Sequence, residues 1–121
     1  QGNFPSNNIV SDEFYYTSPV KSFDKNDFGL YDISGNVWEW CSDLYHSDYY
    51  STISNGIANN PTGPTKSFDP NDPYSSKRVM RGGSFLCNDS YCSGFRNSMR
   101  MKSTPDSSSQ HVGFRTVLDL N

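Results

Sequence analysis

The chain is short of most of what would make its chemistry easy to guess. It has three cysteines and two histidines in 121 residues. His46 and His111 stand far apart in sequence, so a cluster of imidazoles is excluded, and with it iron chemistry that depends on one. A four-ligand zinc site needs two ligand pairs, and neither a second Cys pair nor a His-x₃₋₅-His pair is present. There is no long hydrophobic run, so nothing reads as a bilayer span. Positive charge is not in excess: ten Lys and Arg against thirteen Asp and Glu give a net charge of −3. That balance supplies no electrostatic footprint for nucleic acid or an anionic membrane. No amphipathic helix of several turns and no internal repeat can be found. The chain opens at Gln1 without a Met, a basic segment or an apolar segment, a start that reads as a processed or truncated product. The compartment stays open between periplasmic or secretory and cytoplasmic.

What is present is aromatic. Hydrophobic residues make up only 33 %, yet aromatics reach 15 %, and disordered chains are depleted in aromatics. The expectation is one loop-rich, aromatic-packed unit, α+β in class, with short strands and few helices. The stretch Val37-Trp38-Glu39-Trp40-Cys41 alternates, Trp38 and Trp40 facing one way and Val37, Glu39 and Cys41 the other. This period of two predicts a strand entered through the Gly35-Asn36 turn. Residues 44–77 are a polar excursion punctuated by Asn60-Pro61-Thr62-Gly63-Pro64 and Asp69-Pro70-Asn71-Asp72-Pro73. Residues 78–85 read as a short strand whose glycines allow close backbone approach. Residues 93–100 read as a short helix or strand, and residues 112–118 as a closing strand.

The chemistry concentrates in Arg81-Gly82-Gly83-Ser84-Phe85-Leu86-Cys87-Asn88-Asp89-Ser90-Tyr91-Cys92. Cys87 and Cys92 flank four residues among glycines, hydroxyls and aromatics. The spacing leaves three readings open: a short-loop disulfide, a pair of thiolates serving chemistry or a soft ion such as Cu(I), and two inert buried thiols. Cys41 reads as a buried small hydrophobe.

Six ordered blocks carry a resemblance. They are Gly29-Leu30-Tyr31-Asp32-Ile33-Ser34-Gly35-Asn36-Val37-Trp38-Glu39-Trp40, Asn60-Pro61-x-Gly63-Pro64, Arg81-Gly82-Gly83-Ser84-Phe85, Cys87-x₄-Cys92, Thr104-Pro105-Asp106-Ser107-Ser108 and Val112-Gly113-Phe114-Arg115. In this order the chain resembles the formylglycine-generating enzymes, the sulfatase-modifying factors, over residues 1–119. The resemblance covers the C-terminal half of that family's catalytic domain, so residues 1–121 are expected to be the C-terminal part of one domain with the N-terminal half absent. The fold it implies is a C-type-lectin-like variant with little regular secondary structure. The activity it implies is copper-dependent oxidation of a cysteine in a C-x-P-x-R segment of an unfolded sulfatase polypeptide to formylglycine, using O₂. The alternative is a non-catalytic member of the same fold that binds proteins or glycans or serves as a scaffold.

Residue by residue, the resemblance makes Cys87 and Cys92 the Cu(I) ligands, a pair also seen as a disulfide in such enzymes. It makes Ser84 and Tyr91 pocket residues that orient substrate or oxygen, and Trp38 a pocket aromatic. It implies a calcium (Ca²⁺) site from the side chains of Asp32 and Glu39 and the carbonyls of Gly35 and Val37. A second, incomplete calcium site would use Asp12 and the backbone of Phe14, with its other ligands upstream of Gln1. The formal sequon Asn88-Asp89-Ser90 is taken as incidental, because a glycan there would block the pocket. With half the family domain absent, the chain alone is expected to bury too little apolar surface for stable folding.

Overall fold

The computed structural model describes residue 2 and residues 6–53, 56–88 and 92–118. Its regular structure is sparse: strands β1 (Trp38–Leu44), β2 (Arg78–Arg81), β3 (Met101–Ser103) and β4 (Val112–Gly113), with one 3₁₀ helix at Tyr49–Thr52. That single turn is the helical component among the described residues, so the fold is mostly loop around a small sheet.

The strands form one sheet in the order β3-β2-β1-β4. β1 runs antiparallel to β2, pairing Glu39 with Arg81 and Trp40 with Met80, and β2 runs antiparallel to β3. β4 lies parallel to β1, with Trp38 opposite Val112. The strand expected at Trp38 is present, but its burial does not alternate as expected: Trp38 is buried, while Glu39, Trp40 and Cys41 are all half-buried. The entry turn has the expected character: Gly35 and Asn36 both have positive φ, at 99° and 60°.

Three further expectations fail locally, the first being the strand over residues 78–85, which stops at Arg81 where the positive φ of Gly82 and Gly83 turns the chain away. Residues 93–100 are neither helix nor strand but successive turns, closed by Arg96 N donating to Ser93 O and Met99 N donating to Arg96 O. The Arg81 guanidinium donates to the carbonyls of Asn97 and Met99, and a side chain so placed substitutes for the backbone partner a strand would supply. The closing strand of residues 112–118 stops at Gly113. Past it, Arg115 turns to clasp Glu39 and the carbonyls of Tyr31 and Asp32. Met101–Ser103 is a strand the sequence does not announce.

The polar excursion 44–77 is pinned rather than loose. His46 and Phe68 form an isolated parallel bridge. Asp69 is 1 % exposed and gathers Lys77 Nζ at 2.7 Å, Lys102 Nζ at 3.3 Å and the Asn71 N–H at 3.1 Å. A carboxylate buried this deeply persists because several donors replace its lost water. The Lys77 hydrogen bond, chiefly, holds its pKa down from the ordinary 3.8 to about 2.

The core is thin. Among the described residues its buried hydrophobics are Trp38, Val79 and Met80, while Val20, Phe28, Phe114, Val117 and Leu118 lie open. The accessible surface is 9023 Å². A folded monomer of this mass exposes about 6,600 Å².

Candidate active site

Three loops are laminated against the end of the sheet, and the sequence builds each lamination with glycine. Gly82 has φ 91°, its carbonyl accepts from Gly35 N at 2.7 Å, and a Cβ there would stand 2.9 Å from the Ile33 carbonyl oxygen. Gly83 has φ 74°, and a Cβ would stand 2.7 Å from Phe95 N. The loop 33–36, the loop 82–87 and the segment 92–95 thus meet at backbone distance, which only side-chain-free positions permit.

Out of this stack the chain turns into the cysteine loop. Ser84 is 3 % exposed. Its hydroxyl accepts from Leu86 N at 3.3 Å and its carbonyl from Cys87 N at 2.9 Å. This serine-centred turn points the chain at Cys87. On the other side Cys92 N donates to Asn88 O at 2.9 Å. The two cysteine Cα atoms stand 4.7 Å apart and the sulfurs are joined as a disulfide. Of the three readings the spacing left open, the inert pair is removed. The sulfurs converge on one spot.

Beside them lies a cavity of about 360 Å³ whose wall includes Cys87, Ser84, Asn36, Asp12, Tyr16 and Phe95. Asn36 is its hub, a residue not singled out from the sequence. Its Oδ1 accepts from Ser18 N at 3.1 Å, its Nδ2 donates to Ser18 O, and its carbonyl accepts from Phe85 N at 2.9 Å. The signal was present in the Gly35-Asn36 dipeptide, since asparagine tolerates positive φ and bonds neighbouring backbone. Tyr16 packs edge-on against Phe85, ring centroids 6.2 Å apart. Trp38 stands behind the cysteine loop as part of the core, 4 % exposed. Tyr91 lies outside the described residues.

A larger hollow, about 690 Å³, lies over Glu39, Cys41, Arg81, Arg96 and Arg115. Cys41 is a free, half-buried thiol whose pKa is raised, chiefly by burial. That is the opposite of thiolate activation. Arg81 and Arg115 are committed to the partners already described. The smaller cavity, not this one, is the one lined by a member of the cysteine pair, Cys87.

The donors proposed for metals behave differently from one another. Two convergent sulfurs are a donor set suited to a thiophilic ion once the bond between them is reduced. At the turn before β1, Asp32 has φ 54°, its Oδ2 accepts from Lys21 N at 3.1 Å, and its Oδ1 is buried with no partner. An orphaned carboxylate oxygen suits a cation. Glu39, however, has both oxygens taken by Arg115. Asp12 Oδ1 accepts from Phe14 N at 3.0 Å, a local turn. Among the described residues no three His, Cys, Asp or Glu side chains gather into a metal-binding group. None has a helix long and apolar enough to cross a membrane.

Comparison with known proteins gives this geometry a context. The family described as sulfatase-modifying factor enzyme 1-like domain matches residues 1–120. The chain is 46 % identical over 122 residues to the formylglycine-generating enzyme of Streptomyces coelicolor, covering all of this chain and 35 % of that protein. It is 34 % identical to the inactive C-alpha-formylglycine-generating enzyme 2 of Bos taurus, covering 95 % of this chain and 31 % of that one. Among solved structures, PvdO from Pseudomonas aeruginosa superimposes with a TM-score of 0.62 at 30 % identity, over 87 % of this chain and 35 % of PvdO. The chain spans about a third of the length of the relatives it matches.

Proposed function

Because this chain belongs to the sulfatase-modifying factor enzyme family, we propose that it forms the thiol-bearing part of a formylglycine-generating oxidoreductase. The substrate is a cysteine in a C-x-P-x-R segment of an unfolded sulfatase polypeptide, converted to formylglycine by O₂ with two electrons and two protons from a thiol reductant: one oxygen atom enters the aldehyde, the other leaves as water, and the sulfur leaves as hydrogen sulfide. The observation that carries the reading is the convergence of Cys87 and Cys92 at a cavity of about 360 Å³ that Cys87 lines. The fold belongs, in this reading, to the C-type-lectin-like variants.

Cys87 and Cys92 would hold Cu(I), which when bound supplies the activation of O₂. The chain's own residues do the rest. Exchange with two equivalents of an external thiol, which leaves as its own disulfide, converts the bonded pair to two thiols, and their deprotonation would supply two soft ligands. Two protein sulfurs would leave such a site open to a third sulfur, that of the substrate. Ser84, held by the Leu86 amide, keeps its hydroxyl beside Cys87 and orients the incoming group. Trp38, Phe85 and Phe95 keep the surroundings apolar, which limits water near the reacting sulfur. Tyr91 completes the oxygen or substrate contacts.

Calcium belongs to the scaffold rather than to the reaction. Asp32, with the carbonyls of Gly35 and Val37, would hold one Ca²⁺ through hard oxygen donors. Glu39 would join only by exchanging Arg115 for the ion. Asp12 and the backbone of Phe14 would contribute to a second, incomplete calcium site that needs further ligands. The open apolar side chains and the excess surface support a partner, the N-terminal half of the same domain, packed over them.

The identity to an inactive relative supports one other reading, a non-catalytic binding or scaffold module. Titrating the reduced intact protein with Cu(I) against a chromophoric chelator separates the two. The oxidase reading expects one ion bound per protein and none by Cys87→Ser or Cys92→Ser. Absence of binding by the unsubstituted protein favours the scaffold.

A further inference from the structure

Gly94 is buried, yet its φ lies outside the left-handed region, so its backbone does not demand glycine. Space does. A Cβ at this position would collide with Cη2 and Cζ2 of Trp38 and stand 3.1 Å from Cys92 Sγ. Trp38 cannot retreat easily: it is 4 % exposed, sits in β1 between β2 and β4, and its N–H donates to His111 O at 2.8 Å. Gly94 is also held by its backbone: a Cβ on Gly83 would stand 2.9 Å from the Gly94 carbonyl carbon. Residue 94 is therefore clamped between the Gly83 turn and the six-membered edge of the indole, and the sulfur of Cys92 shares that clamp.

We propose that Gly94 and Trp38 are positioning residues for the sulfur pair: the indole edge lying against a side-chain-free residue 94 fixes Cys92 Sγ within bonding reach of Cys87 Sγ and so sets the dithiol–disulfide equilibrium. Disulfides tolerate a narrow range of sulfur placements, so a methyl group wedged beside Cys92 Sγ moves the balance toward the dithiol. The exchange is balanced with glutathione as reductant: the disulfide and two glutathione thiols give two cysteine thiols and one glutathione disulfide. The consequence for catalysis rests on the oxidase reading above; the equilibrium itself does not.

The test measures that equilibrium constant in the intact protein, by alkylation and mass spectrometry across a series of glutathione buffers. Gly94→Ala favours the dithiol by about tenfold, equivalent to about 30 mV. Adding Trp38→Phe removes the colliding ring carbons, gives the methyl somewhere to sit, and returns the constant to within roughly threefold of the original, about 15 mV. A merely structural role would lower thermal stability in the double variant without this recovery. A single variant with the original constant overturns the proposal, as does a double variant no nearer the original than the single. If Gly94→Ala alone fails to fold, the double variant folds with a constant within roughly threefold of the original, and its failure to do so overturns the proposal. Cu(I) titration of the unsubstituted dithiol keeps the two ideas apart. No binding there removes the copper reading and leaves the equilibrium shift standing, whereas binding without the shift removes only the positioning of Cys92.

Discussion

Arg115 grips Glu39 across 76 residues of sequence, donating from Nε to Oε2 at 2.5 Å and from Nη2 to Oε1. The same guanidinium donates to the carbonyls of Tyr31 and Asp32. One side chain thereby ties the end of the chain to the first residues of β1 and to the turn that precedes it. Hydrogen bonding to Glu39, chiefly, raises the Arg115 pKa, so the guanidinium keeps its charge.

Replacing Arg115 by Leu removes a forked donor that lysine cannot imitate. The expected loss is about 1–2 kcal/mol of stability, less than a fully buried pair because both side chains are partly in water. Denaturant unfolding of Arg115→Leu and Arg115→Lys checks it. An unchanged midpoint in both would show the clasp to be incidental.

Calcium is expected to stabilise the turn at Asp32, whose Oδ1 is buried without a partner. Adding Ca²⁺ to chelator-treated protein raises the melting temperature, because an ion that binds the native state alone stabilises it by mass action. Asp32→Ala abolishes that rise. In Arg115→Leu the rise grows larger, since Glu39 is released to the ion. A melting curve indifferent to Ca²⁺ would remove calcium from the account.

Asp69 predicts a pH dependence. Its pKa is lowered from 3.8 to about 2, first by the Lys77 hydrogen bond, so the folded state binds its proton less readily than the unfolded state does. The stabilisation is therefore fully present above the ordinary value, near pH 4, and is lost as pH falls toward 2. Asp69→Asn lowers stability at neutral pH and flattens this part of the acid profile. A profile of unchanged steepness would mean that other carboxylates govern acid unfolding.

These contacts show where sequence reading reaches and where it stops. The strand at Trp38 was legible because alternation is a local property, and the turn at Gly35-Asn36 because positive φ selects those residue types. The nearness of Cys87 to Cys92 was legible from the ring closure of a short loop. The parallel pairing of β4 with β1 was not, since it joins segments about seventy residues apart and β4 has only two residues to announce it. The clamp at Gly94 was also hidden. A glycine needed for clearance looks in sequence like one needed for a turn, and only the position of Trp38 tells them apart. Residues 93–100 misled because their backbone closes local turns, Arg96 N to Ser93 O and Met99 N to Arg96 O, while the carbonyls of Asn97 and Met99 accept from the distant Arg81.

The most direct test of the central claim is turnover of a C-x-P-x-R peptide by the intact protein with Cu(I), a reductant and O₂, read by mass spectrometry as loss of thiol and gain of aldehyde. The account predicts aldehyde from the unsubstituted protein and none above background from Cys87→Ser or Cys92→Ser. An undiminished rate in either variant would contradict it.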